Sequence, residues 1–183
     1  MIFNINEINK TIPALIKISW RISVKKKPGG FKIVKSDNKK RRKITKTIFG
    51  NYELNKNSAR VLLALLYWSS GAKYPASNFV AFSNSDSDLV KTFLNLLRLT
   101  FNISEPRIKI HLQLYSTQDG KKMTEFWSKL LGVPQRQFYK PSIFNPPKRH
   151  VRPDYFGTCT VRYHSLDLLL TLTELWNELS KTI

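Results

Sequence analysis

The chain has 183 residues, 42% of them hydrophobic and 12% aromatic, which is enough to bury a core and argues against disorder throughout. Its 31 lysines and arginines outnumber 12 acidic residues, which gives a net charge of +19. A surface this positive favours a polyanionic partner, with nucleic acid expected first and an anionic membrane surface as the alternative. The longest apolar run, Val61 to Trp68, is far shorter than the ~20 residues that span a bilayer, so no membrane span is expected.

The N-terminal sequence and the cysteine content predict an intracellular protein of the cytoplasm or nucleoid. Met1 to Leu15 lacks the basic region and the continuous apolar stretch of a signal peptide. Cys159 is the only cysteine, which excludes an intrachain disulfide and fits a reducing compartment. One cysteine and three scattered histidines make a poor ligand set for zinc, so no metal site is expected from them.

Residues 1–50 are the most basic part of the chain, with fourteen Lys and Arg against two acidic residues. We therefore place a domain boundary near Gly50, with a basic arm over 1–50 and a second domain over 51–183. Apolar and polar side chains alternate from Ile18 to Lys25, as in a strand. A Pro-Gly-Gly turn follows, and Phe31 to Lys35 could form a second strand that pairs with the first. The pattern predicts a basic β-hairpin, and a floppy tail with chance alternation is the alternative. Candidate phosphate contacts follow in one run: Lys39, Lys40, Arg41, Arg42 and Lys43.

After Gly50 the sequence alternates between helical and extended patterns, with a helix at each end. The predicted elements are a helix from Ser58 to Ser70, a strand from Phe79 to Ser83, a helix capped by Ser85 or Asp86, a strand from Arg107 to Tyr115, a helix stopped by Gly132, strands from Gln137 to Phe144 and from Thr158 to His164, and a helix from Ser165 to Leu179. This order predicts an α+β domain whose β-sheet has one face covered by helices and the other face free.

Two of these strands carry polar side chains that suit nucleic acid. Because side chains alternate across a strand, each has an apolar face and a polar, basic face without a carboxylate. The donors suit phosphates and base edges, and an ordinary solvated face is the alternative. A proline-stiffened loop, Asn145 to Pro153, adds further cations, or is a plain surface loop. The predicted DNA-binding residues of these segments are Arg107, Lys109, His111, Gln113, Arg162, His164, Lys148, Arg149 and Arg152.

Catalytic signatures are poor in this sequence. It has no Gly-rich phosphate loop, no Gly-x-Ser-x-Gly elbow and no His-Glu-x-x-His helix. Asp86 and Asp88 lie together where a helix starts, so capping is the expected role. Cys159 is expected on the apolar face of its strand, as a small core residue rather than a nucleophile.

The stretch Leu63 to Gly71, Leu-Ala-Leu-Leu-Tyr-Trp-Ser-Ser-Gly, resembles the LAGLIDADG helix of homing endonucleases and their DNA-binding relatives. The strand-then-helix order that follows, from Phe79 to Asp86 and beyond, is similar too. The likeness covers roughly residues 57–180 and is greatest to a bacterial branch of small single-motif proteins. It is carried there by Tyr67 to Lys73, Phe126-Trp127, Gln137 to Pro141 and Gly157 to Tyr163.

The resemblance implies a saddle of β-strands on the DNA major groove and, with one motif copy, a homodimer. It implies helix packing through Ala64, Leu65, Ser69 and Gly71, although Leu65 replaces a small residue. Ser70 stands where active nucleases carry a metal-binding carboxylate, and a hydroxyl is a weak ligand for Mg²⁺.

The expected function is therefore sequence-selective binding of duplex DNA, without nuclease activity, catalytic residues or a cofactor. One alternative is a metal-dependent LAGLIDADG-type DNA endonuclease that takes its carboxylate from Asp86 or Asp119 and uses Mg²⁺. Another is an RNA- or ribosome-associated basic protein, because net charge alone does not separate DNA from RNA.

Overall fold

The computed structural model describes residues 24–27, 30–33, 38–50, 52–74, 77–146 and 155–182. The chain divides into two compact units, Met1–Glu53 and Leu54–Ile183. Within the described residues, no helix is both long and apolar enough to cross a membrane. Part of the predicted first strand, residues 18–23, and the candidate phosphate contacts Lys148, Arg149 and Arg152 lie outside the described residues.

The first unit contains a hairpin at the predicted place, with Lys27 and Gly30 in its strands rather than in its turn, and a helix that the sequence pattern did not predict. Strands β1 (Val24–Lys27) and β2 (Gly30–Ile33) pair antiparallel, with Lys27 opposite Gly30. Helix α1 spans Asn38–Gly50, so the basic run forms its first turns. The helix was missed because this segment shows no periodic apolar stripe, the main signal for an amphipathic helix.

The second unit is α+β, with a four-stranded mixed sheet. The strands are β3 (Val80–Asn84), β4 (Ile108–Tyr115), β5 (Ser142–Phe144) and β6 (Thr158–Tyr163), in the spatial order β3-β6-β4-β5. Strand β6 pairs antiparallel with both β3 and β4, whereas β4 and β5 are parallel. The last strand of the chain therefore inserts between β3 and β4 and becomes a central strand.

Four helices accompany the sheet, in the predicted order along the chain. They are α2 (Lys56–Ser70), α3 (Ser87–Thr100), α4 (Gly120–Leu131) and α5 (Leu166–Thr182). Helix α4 ends as predicted at Gly132, which adopts the left-handed conformation that favours glycine. Helix α5 runs three residues beyond the predicted end at Leu179.

The cap predicted for α2 is wrong. Ser58 was expected to begin this helix, but it starts at Lys56, behind Asn55. The Oδ1 atom of Asn55 accepts hydrogen bonds from the backbone N–H groups of Asn57 and Ser58, at 3.0 and 2.9 Å. An asparagine placed three residues earlier satisfies two otherwise unpaired donors, so the helix gains a turn.

The predicted strand from Gln137 to Phe144 is wrong over its first half. A short 3-10 turn covers Gln135–Gln137, Phe138 forms one isolated bridge to Ile110, and only Ser142–Phe144 is a strand. The side chain of Gln137 is buried and its Nε2 donates to the carbonyls of Glu105 and Ile108, both at 2.8 Å. Two hydrogen bonds from the buried side chain of Gln137 thus take the place of the strand pairing that the alternating pattern predicted here.

The core lies between the helices and one face of the sheet. Alternate residues of β4 are 0–1% exposed, as their alternation predicted: Ile108, Ile110, Leu112 and Leu114. The rings of Phe82 on β3 and Phe93 on α3 stack with centroids 4.1 Å apart. Cys159 is fully buried among these residues, and burial raises the pKa of its thiol, so it is a core residue as predicted.

Candidate nucleic-acid interface

The other face of the sheet, here called the open face, carries polar and basic side chains. Strands β4 and β6 are neighbours, with Lys109 opposite Arg162, His111 opposite Thr160, and Gln113 opposite Thr158. Along β4 buried residues alternate with half-buried or exposed ones. The open face therefore brings together four of the predicted DNA-binding residues: Lys109, His111, Gln113 and Arg162.

The charge on this face has one sign. Lys109 and Arg162 lie side by side on neighbouring strands, an arrangement that disfavours folding when nothing neutralises it. Every acidic residue that the structure describes lies outside strands β3 to β6. Those with ion-pair partners are occupied elsewhere, namely Glu105 with Arg98, Asp119 with Lys122, Glu125 with Lys129 and Glu178 with Lys181. Among the described residues, the half-buried Lys109 and Arg162 of the open face thus have no carboxylate partner.

Two aromatic rings hold the guanidinium of Arg162. Its Cζ atom lies 5.5 Å from the ring centroid of Phe79 and 5.9 Å from that of Tyr139. Phe79 directly precedes β3, and the backbone N–H of Tyr139 donates to the carbonyl of Ile110 on β4, so the rings come from segments next to the two strands that flank β6. Cation–π contacts of this kind restrain the side chain without neutralising its charge.

His111 lies at the centre of a row of polar side chains across the sheet. Its Nε2 atom is 3.0 Å from Ser142 Oγ on β5, and Thr160 Oγ1 beside it on β6 is 2.6 Å from Ser83 Oγ on β3. Burial, and then the nearby charge of Arg162, lower the pKa of His111 below its ordinary value. The imidazole is therefore neutral near pH 7, where it can donate from one nitrogen and accept at the other.

Arg107 and His164 lie at one end of the sheet. Arg107 belongs to a 3-10 turn, Glu105–Arg107, ahead of β4, and its Nη2 donates to the backbone carbonyl of His164. The guanidinium also lies over the ring of Tyr163, with Cζ 5.2 Å from the centroid. His164 follows β6 and is exposed. Both residues lie outside the strands, but the ring of His164 is 5.3 Å, centroid to centroid, from that of Phe79, which also contacts Arg162.

The cations of α1, in the first unit, form a second basic surface. Arg42 and Lys43 are exposed, and Lys46 lies one turn further along the same helix. Lys39, Lys40 and Arg41 belong to the first turns of α1. Successive residues of a helix are only 1.5 Å apart along its axis. The helix therefore brings close together the cations that the sequence shows as a run.

Helix α2 carries the LAGLIDADG-like residues. Ala64 is fully buried by the chain itself, so it is not available to a second helix from outside. Gly71 follows the helix, and a Cβ there would lie 2.3 Å from the ring of Tyr67, so this close approach requires glycine. Leu65 and Ser69 are exposed. They share one side of α2 with three further half-exposed apolar residues: Val61, Leu62 and Trp68.

The carboxylates proposed for a metal are used as helix caps. Asp86 Oδ1 accepts from the backbone N–H groups of Asp88 and Leu89, and Asp119 Oδ1 accepts from those of Lys121 and Lys122. Ser70 is the last residue of α2, with its Oγ 3.5 Å from Ser69 Oγ. Across the part of the chain that the structure describes, no three His, Cys, Asp or Glu side chains group in a way that would hold a metal ion.

Sequence reasoning missed three side chains of this surface, Phe79, Tyr139 and Ser142. Phe79 was read as the start of a strand, and Tyr139 and Ser142 as part of another. Their places beside Arg162 and His111 depend on β6 inserting between β3 and β4 and on β5 lying parallel to β4. The available signal was the grouping of Tyr139, Lys140 and Ser142 within one predicted strand, Gln137 to Phe144.

Searches against family models, curated proteins and solved structures give no match for this chain.

Proposed function

We propose that the chain is a sequence-selective, duplex DNA-binding protein of LAGLIDADG-like fold that applies the open face to the major groove. The observation that carries this proposal is the pairing of Lys109 with Arg162 at one register position, on a face where the structure describes no carboxylate. Two adjacent cations without a counter-charge favour the binding of a polyanion, because its negative potential relieves their mutual repulsion.

The dimensions of the strand pair favour duplex DNA over duplex RNA. Strands β4 and β6 are the central antiparallel pair of the four-stranded sheet, ~4.8 Å apart, and the B-form major groove, ~12 Å wide, can receive the side chains of such a pair. The major groove of A-form RNA is deep and narrow and excludes them. Gln113 is exposed on this pair, and its amide matches the donor and acceptor of adenine in the groove.

The basic helix α1 supplies contacts of another kind. Arg42 and Lys43 are exposed cations in a segment that gives residues 1–50 a net charge of +12. Contacts to phosphates raise affinity without reading sequence, so this segment adds non-specific attraction to the selectivity of the open face. Nucleic acid of the cytoplasm or nucleoid is then the partner, and the protein acts inside the cell.

We propose binding without cleavage. Ser70 offers a neutral hydroxyl at the position that the resemblance assigns to a metal ligand, and Mg²⁺ prefers carboxylates and phosphates. Asp86 and Asp119, the two replacements considered, each accept two backbone hydrogen bonds at a helix start. Binding Mg²⁺ through those oxygens would uncap α3 or α4.

The proposed functional form is a homodimer in which α2 of each protomer packs on the other. The support is the half-exposed apolar side of α2, where Val61, Leu65 and Trp68 recur at helical spacing. Trp68 stacks on Trp176 of α5, with centroids 5.6 Å apart, which fixes one border of this surface. Two copies related by two-fold symmetry would read two half-sites of a palindromic target.

Equilibrium binding of the full chain to matched duplex DNA, single-stranded DNA and duplex RNA tests the proposal. We expect the tightest binding to duplex DNA at moderate salt. The log of the affinity should fall with log salt by about 0.9 for each phosphate contacted. Preference for duplex RNA, or an affinity that does not respond to salt, would contradict the proposal.

A further inference from the structure

We infer that Arg162 recognises a guanine base through the two Nη groups of its guanidinium, so the target of the open face contains an essential G·C pair. The inference rests on the proposed function, because it names the base that one residue of that surface reads. Three features of Arg162 carry it: the rings around its guanidinium, the burial of its Nε atom, and its position on a central strand.

The rings of Phe79 and Tyr139 restrict the guanidinium to one region of the open face. Both centroids lie within 6 Å of Cζ, and the two rings come from opposite sides of β6. An arginine in solution loses side-chain entropy when it binds in one orientation. A guanidinium that two rings already restrain loses less side-chain entropy on binding. Because the guanidinium is planar and held in one orientation, it also favours acceptors whose geometry matches its N–H groups.

The Nε atom of Arg162 is buried and has no hydrogen-bond partner among the described residues. The side chain as a whole is half-buried, so the accessible part of the guanidinium is its outer edge. That edge carries the two Nη groups, whose parallel N–H bonds suit an acceptor pair. Guanine presents such a pair, O6 and N7, on the floor of the major groove.

Position separates a base from a phosphate as the acceptor. Strand β6 is central, between β3 and β4, and Arg162 lies between Ala81 and Lys109 in the row across the sheet. When a strand ribbon enters the groove, its central residues face the base edges and its outer residues approach the phosphates. Ala81, the partner of Arg162 on β3, is a small residue and is 5% exposed.

The test combines one protein variant with one altered base. DNA sites that the wild-type chain binds are first selected from random duplexes. Each guanine that the selected sites have in common is then replaced in turn by 7-deazaguanine, which lacks the N7 acceptor but still pairs with cytosine. We expect one replacement to weaken wild-type binding about 5- to 150-fold, the equivalent of 1–3 kcal/mol. Arg162→Lys keeps the charge and loses the fork, so it should bind both duplexes with nearly equal affinity.

Lys91→Arg, at an exposed position of α3, is the matched control, since it also exchanges one cation for another and lies away from the open face. It should remain as sensitive to the altered base as the wild type. Circular dichroism of each variant verifies folding, and Tyr139→Leu, which leaves Arg162 in place, should show partial loss of sensitivity. If the wild-type chain selects sites but tolerates every 7-deazaguanine, or Arg162→Lys stays as sensitive as wild type, the inference is wrong while DNA binding stands. If the wild-type chain binds no duplex DNA, the proposed function fails as well.

Discussion

Lys109 and Arg162 occupy the same register position on neighbouring antiparallel strands, and both lie on the open face. Cross-strand partners lie about 5 Å apart, and like charges at that distance destabilise a sheet. Each residue also has a favourable feature of its own, since Arg162 contacts two aromatic rings and Lys109 has a flexible stem. The repulsion between Lys109 and Arg162 therefore slightly lowers the stability of the free protein, and a bound polyanion would remove that cost.

The first prediction is that removing one of these charges stabilises the free protein. Lys109→Gln keeps the length of the side chain and removes the repulsion, so the free energy of unfolding should rise by about 0.2–1 kcal/mol at low salt. Added salt should shrink the difference, because both groups are partly exposed. Urea unfolding measures it, with Lys91→Gln on α3 as the control that should change little. A destabilised Lys109→Gln protein would show that the pair is not under repulsion.

The second prediction concerns pH and His111. Its pKa in the folded protein lies below its ordinary value of 6.5, so between the two the unfolded chain binds more protons than the folded one. The contribution of His111 to stability is therefore fully present above pH 6.5 and decreases as pH falls through that window. Phosphates near the imidazole would favour its charged form, so DNA binding should strengthen on acidification.

Affinity measured from pH 7.5 to pH 5.5 should therefore rise for the wild-type chain and more weakly for His111→Gln, about the same size but without the titration. An identical pH dependence for the wild type and His111→Gln would remove His111 from the interface.

The third prediction tests the homodimer. Leu65→Glu places a charge on the apolar side of α2 without entering the core, because Leu65 is partly exposed. Sedimentation should show a dimer for the wild type and a monomer for the variant, with unchanged circular dichroism. Leu99→Glu is the control, since Leu99 is also exposed but lies on α3. A wild-type chain that stays monomeric at high micromolar concentration would contradict the dimer.

The fourth prediction is the absence of double-strand cleavage. Incubation of a pooled genomic library with the protein and Mg²⁺ or Mn²⁺ should leave the DNA intact, since Ser70 lacks a carboxylate. Asp119→Asn should leave that result unchanged and cost little stability, because the side-chain amide oxygen of asparagine can also cap α4. Reproducible metal-dependent cuts that disappear in Asp86→Asn or Asp119→Asn would favour the endonuclease.

Local patterns predicted much of the second unit, because its signals are strong and short-range. The alternation of β4 gave its buried face residue by residue, from Ile108 to Leu114, and Gly132 gave the end of α4. The strand order could not be predicted, since nothing local indicates that β6 inserts between β3 and β4. The site was accordingly predicted in part: Lys109 and Arg162 from alternation, but not the ring of Tyr139 against Arg162.

The most direct test of the central claim is the effect of one charge reversal on the open face compared with the same reversal elsewhere. Lys109→Glu places a carboxylate against the bound phosphates or bases, and like charges at an interface cost several kcal/mol, so affinity for a selected duplex should fall by about tenfold or more. Lys91→Glu makes the same change in net charge on an exposed position of α3, a helix that packs on the other face of the sheet, and should cost less than about threefold because salt screens distant charges. Equal losses for the two variants, at matched salt and with intact folds, would mean that net charge alone drives binding and that the open face is not the DNA-binding surface.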